Sequence, residues 1–214
     1  MNKKNFFLLI AKSLKVLALF AVFSMHPRVF AGDLIQPGKC IGKICIGQTR
    51  KDVTSVFGAP LITRTLKNSS ADEADIWIGS EKGGRQFLFV VYAKGSVVEV
   101  HASSSAFQTK SGISTACGFS DVKAGYPKGT ESEYTLLFNG KNRYDWVVKE
   151  LGITFSFAGD ESGPMLVLAV YVPGQEKVVG YSDDEWYWYP SFKGKYVSFE
   201  RPQLASCLSA NGPR

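Results

Sequence analysis

The chain has 214 residues, of which 25 are basic and 19 acidic, and its formal net charge is +6. Five of the basic residues and none of the acidic ones lie within residues 1–31. The remaining 20 basic and 19 acidic side chains give residues 32–214 a net charge of only +1. This balance argues against nucleic acid or an anionic membrane as a partner. About 180 residues are enough for one sizeable domain or two small ones.

Residues 1–31 have the pattern of an export signal. Lysines at positions 3, 4, 12 and 15 precede and flank an apolar run at 16–25, and the small-residue sequence "VFA" ends at Ala31. An apolar run of ten residues is half of the roughly 20 needed to span a bilayer. We expect cleavage after Ala31, no stable membrane anchor afterwards, and a periplasmic or secreted protein.

The mature part contains an even number of cysteines, which in an exported chain predicts two disulfides. They are Cys40, Cys45, Cys117 and Cys207. Three pairings are open. We favour Cys40 with Cys45, because a two-residue turn at Gly42 and Lys43 would place them opposite each other in a hairpin. Cys117 would then pair with Cys207.

Zinc is the alternative interpretation of the cysteines. Their spacing is not C-x-x-C, and His101 is the single histidine after residue 31, so a tetrahedral site would need ligands scattered along the chain. We therefore predict no metal site, and no motif in the sequence indicates a cofactor.

Two short helices are predicted from their end signals. Thr49 is a candidate N-cap with Asp52 at the third helical position, and Gly58 and Pro60 end the run. The apolar residues of this first helix, spaced i, i+3, i+4, are Val53, Val56 and Phe57. The same spacing follows Asp121 in the second helix, at Val122, Gly125 and Tyr126 before Pro127. The similarity indicates an internal repeat.

Strand-like segments follow each helix. After the first they are 75–79, 85–93 and 96–103, with a turn at Lys94 and Gly95. After the second they are 134–138, an Asn139-Gly140 hairpin signal, 143–151, 153–158 and 165–172. The segment 144–151 fits a strand or a helix. Each half is thus predicted to be a short helix followed by a small sheet.

The predicted fold is an α+β protein of two tandem repeats, each a short helix followed by a small antiparallel β-sheet, with disulfide links. The repeats would occupy 32–108 and 109–180. Residues 181–214 would form an aromatic-rich C-terminal tail packed on them.

The string "IGQTRKDVTSVFGAP" (46–60) resembles the G-x-[ST]-x-x-x-V-x-x-x-[LF]-G-x-P motif of the SmpA/OmlA-type outer-membrane assembly lipoproteins. The matching positions are Gly47, Thr49, Val53, Phe57, Gly58 and Pro60. Two such units in an exported chain resemble the tandem-repeat β-lactamase inhibitory protein family. The resemblance implies a module that binds proteins and performs no chemistry. The second copy departs from the motif, with Gly118 in place of the threonine, and no lipid-attachment cysteine follows residue 31.

Two weak catalytic motifs are present. Ser120 and Lys123 match the S-x-x-K of penicillin-recognising enzymes, but the accompanying "SDN" and "KTG" motifs are absent. His101 could form a Ser-His-carboxylate site with Ser103 or Ser105. A polar residue at a strand end, before a serine-rich loop, is the favoured interpretation. We predict no catalytic residues.

The tail is the most unusual feature of the sequence. Seven aromatic residues lie within fourteen positions: Trp186, Tyr187, Trp188, Tyr189, Phe192, Tyr196 and Phe199. In a strand, "WYWY" would place tryptophans on one side and tyrosines on the other. Aromatic rings bury a large area at low entropic cost. With the neighbouring Asp183 and Asp184, residues Trp186, Tyr187, Trp188 and Tyr189 are therefore the candidate binding residues.

These observations predict an exported, non-catalytic protein-binding module of the bacterial envelope. Its partner would be another protein, either an enzyme or toxin that it inhibits or a component of envelope assembly. The alternative is glycan or peptidoglycan binding through the aromatic tail.

Overall fold

The structure is a computed structural model that describes residues 34–66, 70–81, 84–135, 142–177 and 207. Within these ranges the protein is mainly β, with one sheet of eight strands, one of four, and two short α-helices. The helices are α1 (Arg50–Phe57) and α2 (Phe119–Gly125), and a 3-10 turn spans Lys149–Leu151. The strands are β1 (Leu34–Gln36), β2 (Cys40–Ile41), β3 (Ile44–Cys45), β4 (Ile62–Thr65), β5 (Glu73–Glu81), β6 (Gly84–Ala93), β7 (Ser96–Ala102), β8 (Gln108–Thr109), β9 (Thr130–Thr135), β10 (Asn142–Val148), β11 (Ile153–Ala158) and β12 (Met165–Tyr171).

The large sheet has the strand order β4-β5-β6-β7-β12-β11-β10-β9, and every neighbouring pair is antiparallel. Strands β4–β7 form its first half and β9–β12 its second half. The predicted fold of two helix-plus-small-sheet repeats is therefore wrong. The last strands of the two halves pair with each other, from Glu99 opposite Tyr171 to Ala102 opposite Leu168. This pairing satisfies backbone groups that two separate sheets would leave unpaired at their edges.

The small sheet has the order β3-β2-β1-β8, and its pairing of β1 with β8 is parallel. Its hairpin follows the prediction, with Cys40 opposite Cys45 and Ile41 opposite Ile44. Gly42 supplies the positive φ of +58° that the turn requires. The buried isoleucines of this sheet, at positions 35, 41 and 44, belong to the main hydrophobic core.

Helix α1 begins and ends as the sequence predicts. The Thr49 N–H donates to Asp52 Oδ2 at 3.0 Å, and the Asp52 N–H donates to Thr49 Oγ1 at 3.2 Å, which completes a capping box. Gly58, with φ of +76°, ends the helix. Val53 and Phe57 are buried, as their spacing indicates.

Helix α2 has a weaker amino-terminal cap than α1. The Gly118 N–H donates to Asp121 Oδ2 at 3.1 Å, but a glycine has no side chain to accept a bond in return. Val122 and Tyr126 are buried as predicted. Phe119, at the first position of the helix, is also buried and was not predicted as a packing residue.

Both helices pack on the same face of the large sheet. The Phe57 ring lies 6.1 Å from that of Trp77, and Phe119 contacts Trp146 edge-on at 5.6 Å. Successive cross-strand partners connect these two tryptophans through Leu88, Ala102, Leu168 and Phe155. Directly paired residues share a face, so the row defines one side, here called the helix face. The opposite side is called the far face.

The segment 143–151 is a strand as far as Val148 and then a 3-10 turn. Gly152 follows with φ of +63°, and a Cβ there would lie 2.1 Å from the Tyr171 carbonyl oxygen. Only glycine fits at this reversal between β10 and β11.

Candidate functional site

Two disulfides are present, Cys40–Cys45 with a Cα–Cα distance of 4.0 Å and Cys117–Cys207 with 5.5 Å. They are the pairs that the sequence favours. The sulfurs of the second bond lie near Asp121, but disulfide sulfurs are not the thiolates that zinc binds. Disulfides persist in oxidising compartments, which agrees with the predicted export.

The predicted binding residues lie outside the described residues. Asp183, Asp184, Trp186, Tyr187, Trp188 and Tyr189 all fall between Lys177 and Cys207. The two flanking residues are described, and both contact the folded body. The Lys177 ammonium lies 3.5 Å from Asp145 Oδ2, and Cys207 is bonded to Cys117.

The far face of the first half is apolar except at Glu99 and His101 of β7. Side chains of β4–β7 and of the loop between β4 and β5 form a hydrophobic cluster that is separate from the main core. This far-face apolar cluster consists of Ile62, Leu66, Ala71, Ala74, Ile76, Ile78, Phe87, Phe89, Val91, Ala93 and Val98. In an antiparallel sheet with helices on one side, the other face is commonly polar and solvated. The far face departs from that pattern in this half.

The far face of the second half and of β7 is polar and buried. This far-face polar cluster consists of Glu99, His101, Asp145, Thr154, Ser156 and Tyr171, each with 2% or less of its surface exposed. Glu99 and His101 are two positions apart on β7 and contact each other through Oε1 and Nε2. The edge of the His101 ring meets Phe89 at 5.2 Å, where the two clusters join.

Asp145 is the buried carboxylate of β10. Its burial raises its pKa above the ordinary value, against the opposing effects of Lys177 and of a hydrogen bond from Ser156. Ser156 is its direct cross-strand neighbour. In the same cluster, the hydroxyls of Thr154 and Tyr171 lie 3.0 Å apart. Burial raises the pKa of Tyr171, and the negative charges of Glu99 and Asp145 add to that effect.

A second group of charged residues lies on the helix face, where Arg50 of α1 meets β5. Arg50 Nε donates to Asp75 Oδ2 at 2.7 Å, its Nη2 contacts the other oxygen, and its Nη1 donates to Glu73 Oε2 at 2.6 Å. Thr63 Oγ1 donates to Asp75 Oδ1 at 2.6 Å. The hydrogen bond with Asp75 raises the pKa of Arg50. This Arg50 cluster ties α1 to the sheet and has the character of a structural contact.

The residues of the two weak catalytic motifs lie in different parts of the fold. Ser120 is exposed on α2, and the Lys123 ammonium lies 3.2 Å from Glu131 and over the Trp146 ring. Ser103 Oγ accepts from the Phe87 N–H at 2.8 Å. His101 contacts Glu99 as described above.

The far-face clusters were not predicted. The signal for them is present in the strand sequences, because Glu99 and His101 in "VEVHA" and Asp145 in "YDWVV" alternate with apolar residues. Alternation distinguishes two faces of a strand, and sequence reasoning assigned the polar one to a strand end. Alternation along a strand does not show whether both of its faces are buried.

Among the residues that the structure describes, no helix is long and apolar enough to cross a membrane.

No protein-family model matches the chain, and no curated protein matches it. Three solved structures are weakly similar. An extracellular protein containing an SCP domain from Bacillus anthracis str. Ames is 11% identical with a TM-score of 0.40 and covers 59% of this chain. A cysteine-rich secretory protein (SAV1118) from Staphylococcus aureus subsp. aureus Mu50 is 14% identical with a TM-score of 0.40 and covers 69%. The uncharacterized protein yfeY from Escherichia coli is 9% identical with a TM-score of 0.38 and covers 65%.

The matched region spans 44% and 48% of the first two of these chains and 99% of the third. These similarities are too low to assign a family or a function. The resemblance of residues 46–60 to the assembly lipoproteins stays a prediction.

Proposed function

We propose that the mature chain is an exported, non-catalytic protein-binding module of the bacterial envelope. Its partner is an enzyme or toxin that it inhibits or a component of envelope assembly. One observation supports this above the others. The segment that contains the aromatic candidate residues starts directly after Lys177 and ends directly before Cys207, and both residues are attached to the folded body.

Attachment at both ends favours binding because it limits the conformations of the segment before a partner arrives. The less freedom a binding segment loses on association, the more of its contact energy appears as affinity. Tryptophan and tyrosine are the residues that most often dominate such energies. With a net charge of +1 after export, affinity would depend on this compact contact more than on long-range attraction.

The resemblance of Gly47–Pro60 to the assembly lipoprotein motif supports the same class, because modules of that kind bind proteins. It does not distinguish an inhibitor from an assembly factor.

The test starts with the oxidised mature chain, residues 32–214, immobilised and exposed to envelope extract from the species that encodes it. A captured protein is then purified and titrated calorimetrically against single alanine variants of Trp186, Tyr187, Trp188 and Tyr189. We expect one alternating pair to leave the protein folded and to weaken binding by about 2 kcal/mol or more per residue, about 30-fold in Kd.

Leu151→Ala is the matched control, because Leu151 is an exposed apolar residue on the 3-10 turn and is not one of the candidate binding residues. It should leave Kd unchanged. Retention on peptidoglycan or polysaccharide, with no stoichiometric protein, would favour the glycan-binding alternative. A purified partner whose Kd is the same for all four variants would move the binding site away from the segment.

A further inference from the structure

We propose that the carboxylate of Asp121 protects the Cys117–Cys207 disulfide from negatively charged thiols. The hairpin disulfide, Cys40–Cys45, lacks this protection, so an anionic thiol opens it first and leaves the long-range bond closed. This selectivity concerns the redox chemistry of the chain and is independent of the proposed binding function.

Asp121 lies close to both sulfur atoms of the long-range disulfide. One of its carboxylate oxygens and the sulfurs of Cys117 and Cys207 all lie within 4.8 Å of one another. The carboxylate is held in this position because Asp121 Oδ2 accepts a hydrogen bond from the Gly118 N–H at 3.1 Å, at the start of α2. A negative charge is therefore fixed beside the bond that a reductant has to attack.

The single cation of α2 is engaged by another carboxylate. The Lys123 ammonium lies 3.2 Å from Glu131 and over the rings of Phe119 and Trp146. Its ion pair with Glu131 occupies the positive charge that lies nearest to Asp121 along the helix.

Reduction of a disulfide by a thiol is a nucleophilic substitution at sulfur. A thiolate attacks one cysteine sulfur, the protein S–S bond breaks, and the other cysteine leaves as a thiolate. A second thiolate attacks the reagent sulfur of this mixed disulfide and expels the first cysteine as a thiolate. The reagent ends as its own disulfide, having supplied two electrons, and its two thiol protons pass to the two cysteines. In each step, negative charge is shared among three sulfurs.

Burial directs the first attack to Cys207. Cys207 is half-buried, whereas Cys117 is 3% exposed, so Cys117 becomes the leaving thiolate. The Ser114 N–H, 3.3 Å from Cys117 Sγ, favours that leaving charge with every reductant alike. Asp121 repels both the arriving and the leaving charge, because like charges about 5 Å apart oppose each other. Any further negative charge on the reagent adds to this repulsion, so Asp121 discriminates between thiols by their charge.

The hairpin disulfide has basic neighbours instead. Lys39 directly precedes Cys40, Lys43 lies in the turn two positions before Cys45, and both lysines are exposed. Positive charges near a reacting bond attract an anionic thiolate, to an extent that salt reduces. The same reagent is therefore repelled at one disulfide and attracted at the other.

Reduction kinetics of the oxidised mature chain test this selectivity in Asp121→Asn and in the parent. Asparagine can still accept from the Gly118 N–H, so the start of α2 is preserved. The three reductants are cysteamine, mercaptoethanol and mercaptoethanesulfonate, whose thiolates are net neutral, singly negative and doubly negative. Acid quenching, alkylation and peptide mass spectrometry follow both disulfides in the same sample.

The ratio of variant to parent rates cancels the intrinsic reactivity of each thiol. For Cys117–Cys207 we expect Asp121→Asn to accelerate reduction about tenfold with mercaptoethanesulfonate and about twofold with cysteamine. The rates for Cys40–Cys45 should not change. Asp52→Asn is the matched control, because Asp52 has the same capping position on α1 and is not part of the group around the sulfurs. It should leave reduction of Cys117–Cys207 unchanged with every thiol.

Equal ratios for the three thiols would overturn the proposal, since a loosened helix would admit all reductants alike. Ratios of one would overturn it as well. If Asp121→Asn does not fold, the parent alone decides. Raising the salt concentration from about 0.02 M to about 1 M should then speed attack by mercaptoethanesulfonate on Cys117–Cys207 and slow its attack on Cys40–Cys45. The same salt response at both bonds would refute the selectivity.

Discussion

The two halves of the large sheet hold their helices by different means. In the first half, Arg50 of α1 forms hydrogen bonds with Asp75 and Glu73 of β5. In the second half, Phe119 of α2 packs edge-on against the rings of Tyr144, Trp146 and Phe157 at 5.1 to 5.6 Å. Helix α1 is thus attached by charge in addition to its buried Phe57, and α2 by aromatic packing.

On the far face, the polar and apolar character of the two halves is reversed. The far face is apolar over most of the first half, around Ile76 and Phe89, and polar at β7 and in the second half, around Glu99 and Asp145. Each half therefore has one fully or almost fully buried aspartate, Asp75 on the helix face and Asp145 on the far face. A helix can thus pack on the sheet whether the buried aspartate of that half lies on the helix face or on the far face. The two halves should respond differently to mutation and to acid.

The largest expected difference is between the two disulfides. Removing Cys117–Cys207 in a double alanine variant should destabilise the protein by about 4 to 5 kcal/mol, because the bond spans 90 residues. Removing Cys40–Cys45, which spans 5, should lower the free energy of unfolding by about 2 kcal/mol. Urea unfolding of both variants measures this. Equal losses would show that loop length does not set the contribution of these bonds.

The next difference concerns the aromatic anchors of the helices. Phe57→Ala and Phe119→Ala should each cost about 3 to 5 kcal/mol, as buried aromatic truncations do. The loss should be greater for Phe119, since among the described residues it has three edge-on ring contacts and Phe57 has one tilted contact. Chemical denaturation compares the two variants. A Phe57→Ala protein as stable as the parent would make α1 peripheral to the fold.

Arg50 allows the ionic attachment to be tested on its own. Arg50→Met should cost about 3 kcal/mol, near the lower end for breaking a buried pair, because it leaves the Asp75 carboxylate buried while Arg50 itself is one-third exposed. Lys123→Met is the matched control, since its ion pair with Glu131 is exposed on both sides and should contribute less than about 1 kcal/mol. The two variants are compared by thermal unfolding at one ionic strength. Similar losses would mean that burial of Asp75 has no special weight.

The smallest effects are those of acid, and they should have opposite signs in the two halves. Hydrogen bonds from Thr49 lower the pKa of Asp52 below 3.8, so the stability it contributes is present above that pH and is lost on further acidification. Burial raises the pKa of Asp145, so its ionisation penalises the fold as pH rises above 3.8 and the penalty disappears in acid.

Asp52→Asn and Asp145→Asn variants measure these two contributions. Between pH 7 and pH 3, the parent should lose stability relative to Asp52→Asn and gain stability relative to Asp145→Asn. Unfolding free energies at several pH values give both differences. If the two differences change in the same direction, one of the assigned pKa shifts has the wrong sign.

The local elements of this fold could be predicted because their signals are local. The Thr49 and Asp52 cap, the turn at Gly42 and the longer strands β5–β7 and β10–β12 each depend on residues within a few positions of one another. Strands β1, β4 and β8 have two to four residues, too few to show a period. The pairing of β7 with β12 joins residues about 70 positions apart, and nothing in either strand specifies it locally.

The far-face polar cluster could likewise be predicted from the sequence only in part. The alternation around Glu99 and His101 correctly assigns them to one face of β7, but their burial depends on what lies over that face. The candidate aromatic residues could be singled out by composition alone. Their position relative to the sheet could not, because it depends on the course of a 29-residue segment.

The two disulfides also set an order of events for a chain that crosses a membrane amino terminus first. Cys40 and Cys45 emerge almost together, with only four residues between them, and can be oxidised while most of the polypeptide is still inside. Cys117 has to remain reduced until Cys207 arrives, when translocation is nearly complete. Early closure of the first pair removes the nearest competitors for Cys117. We infer that, in a chain secreted in this order, closure of the short hairpin bond protects the long-range bond from mispairing.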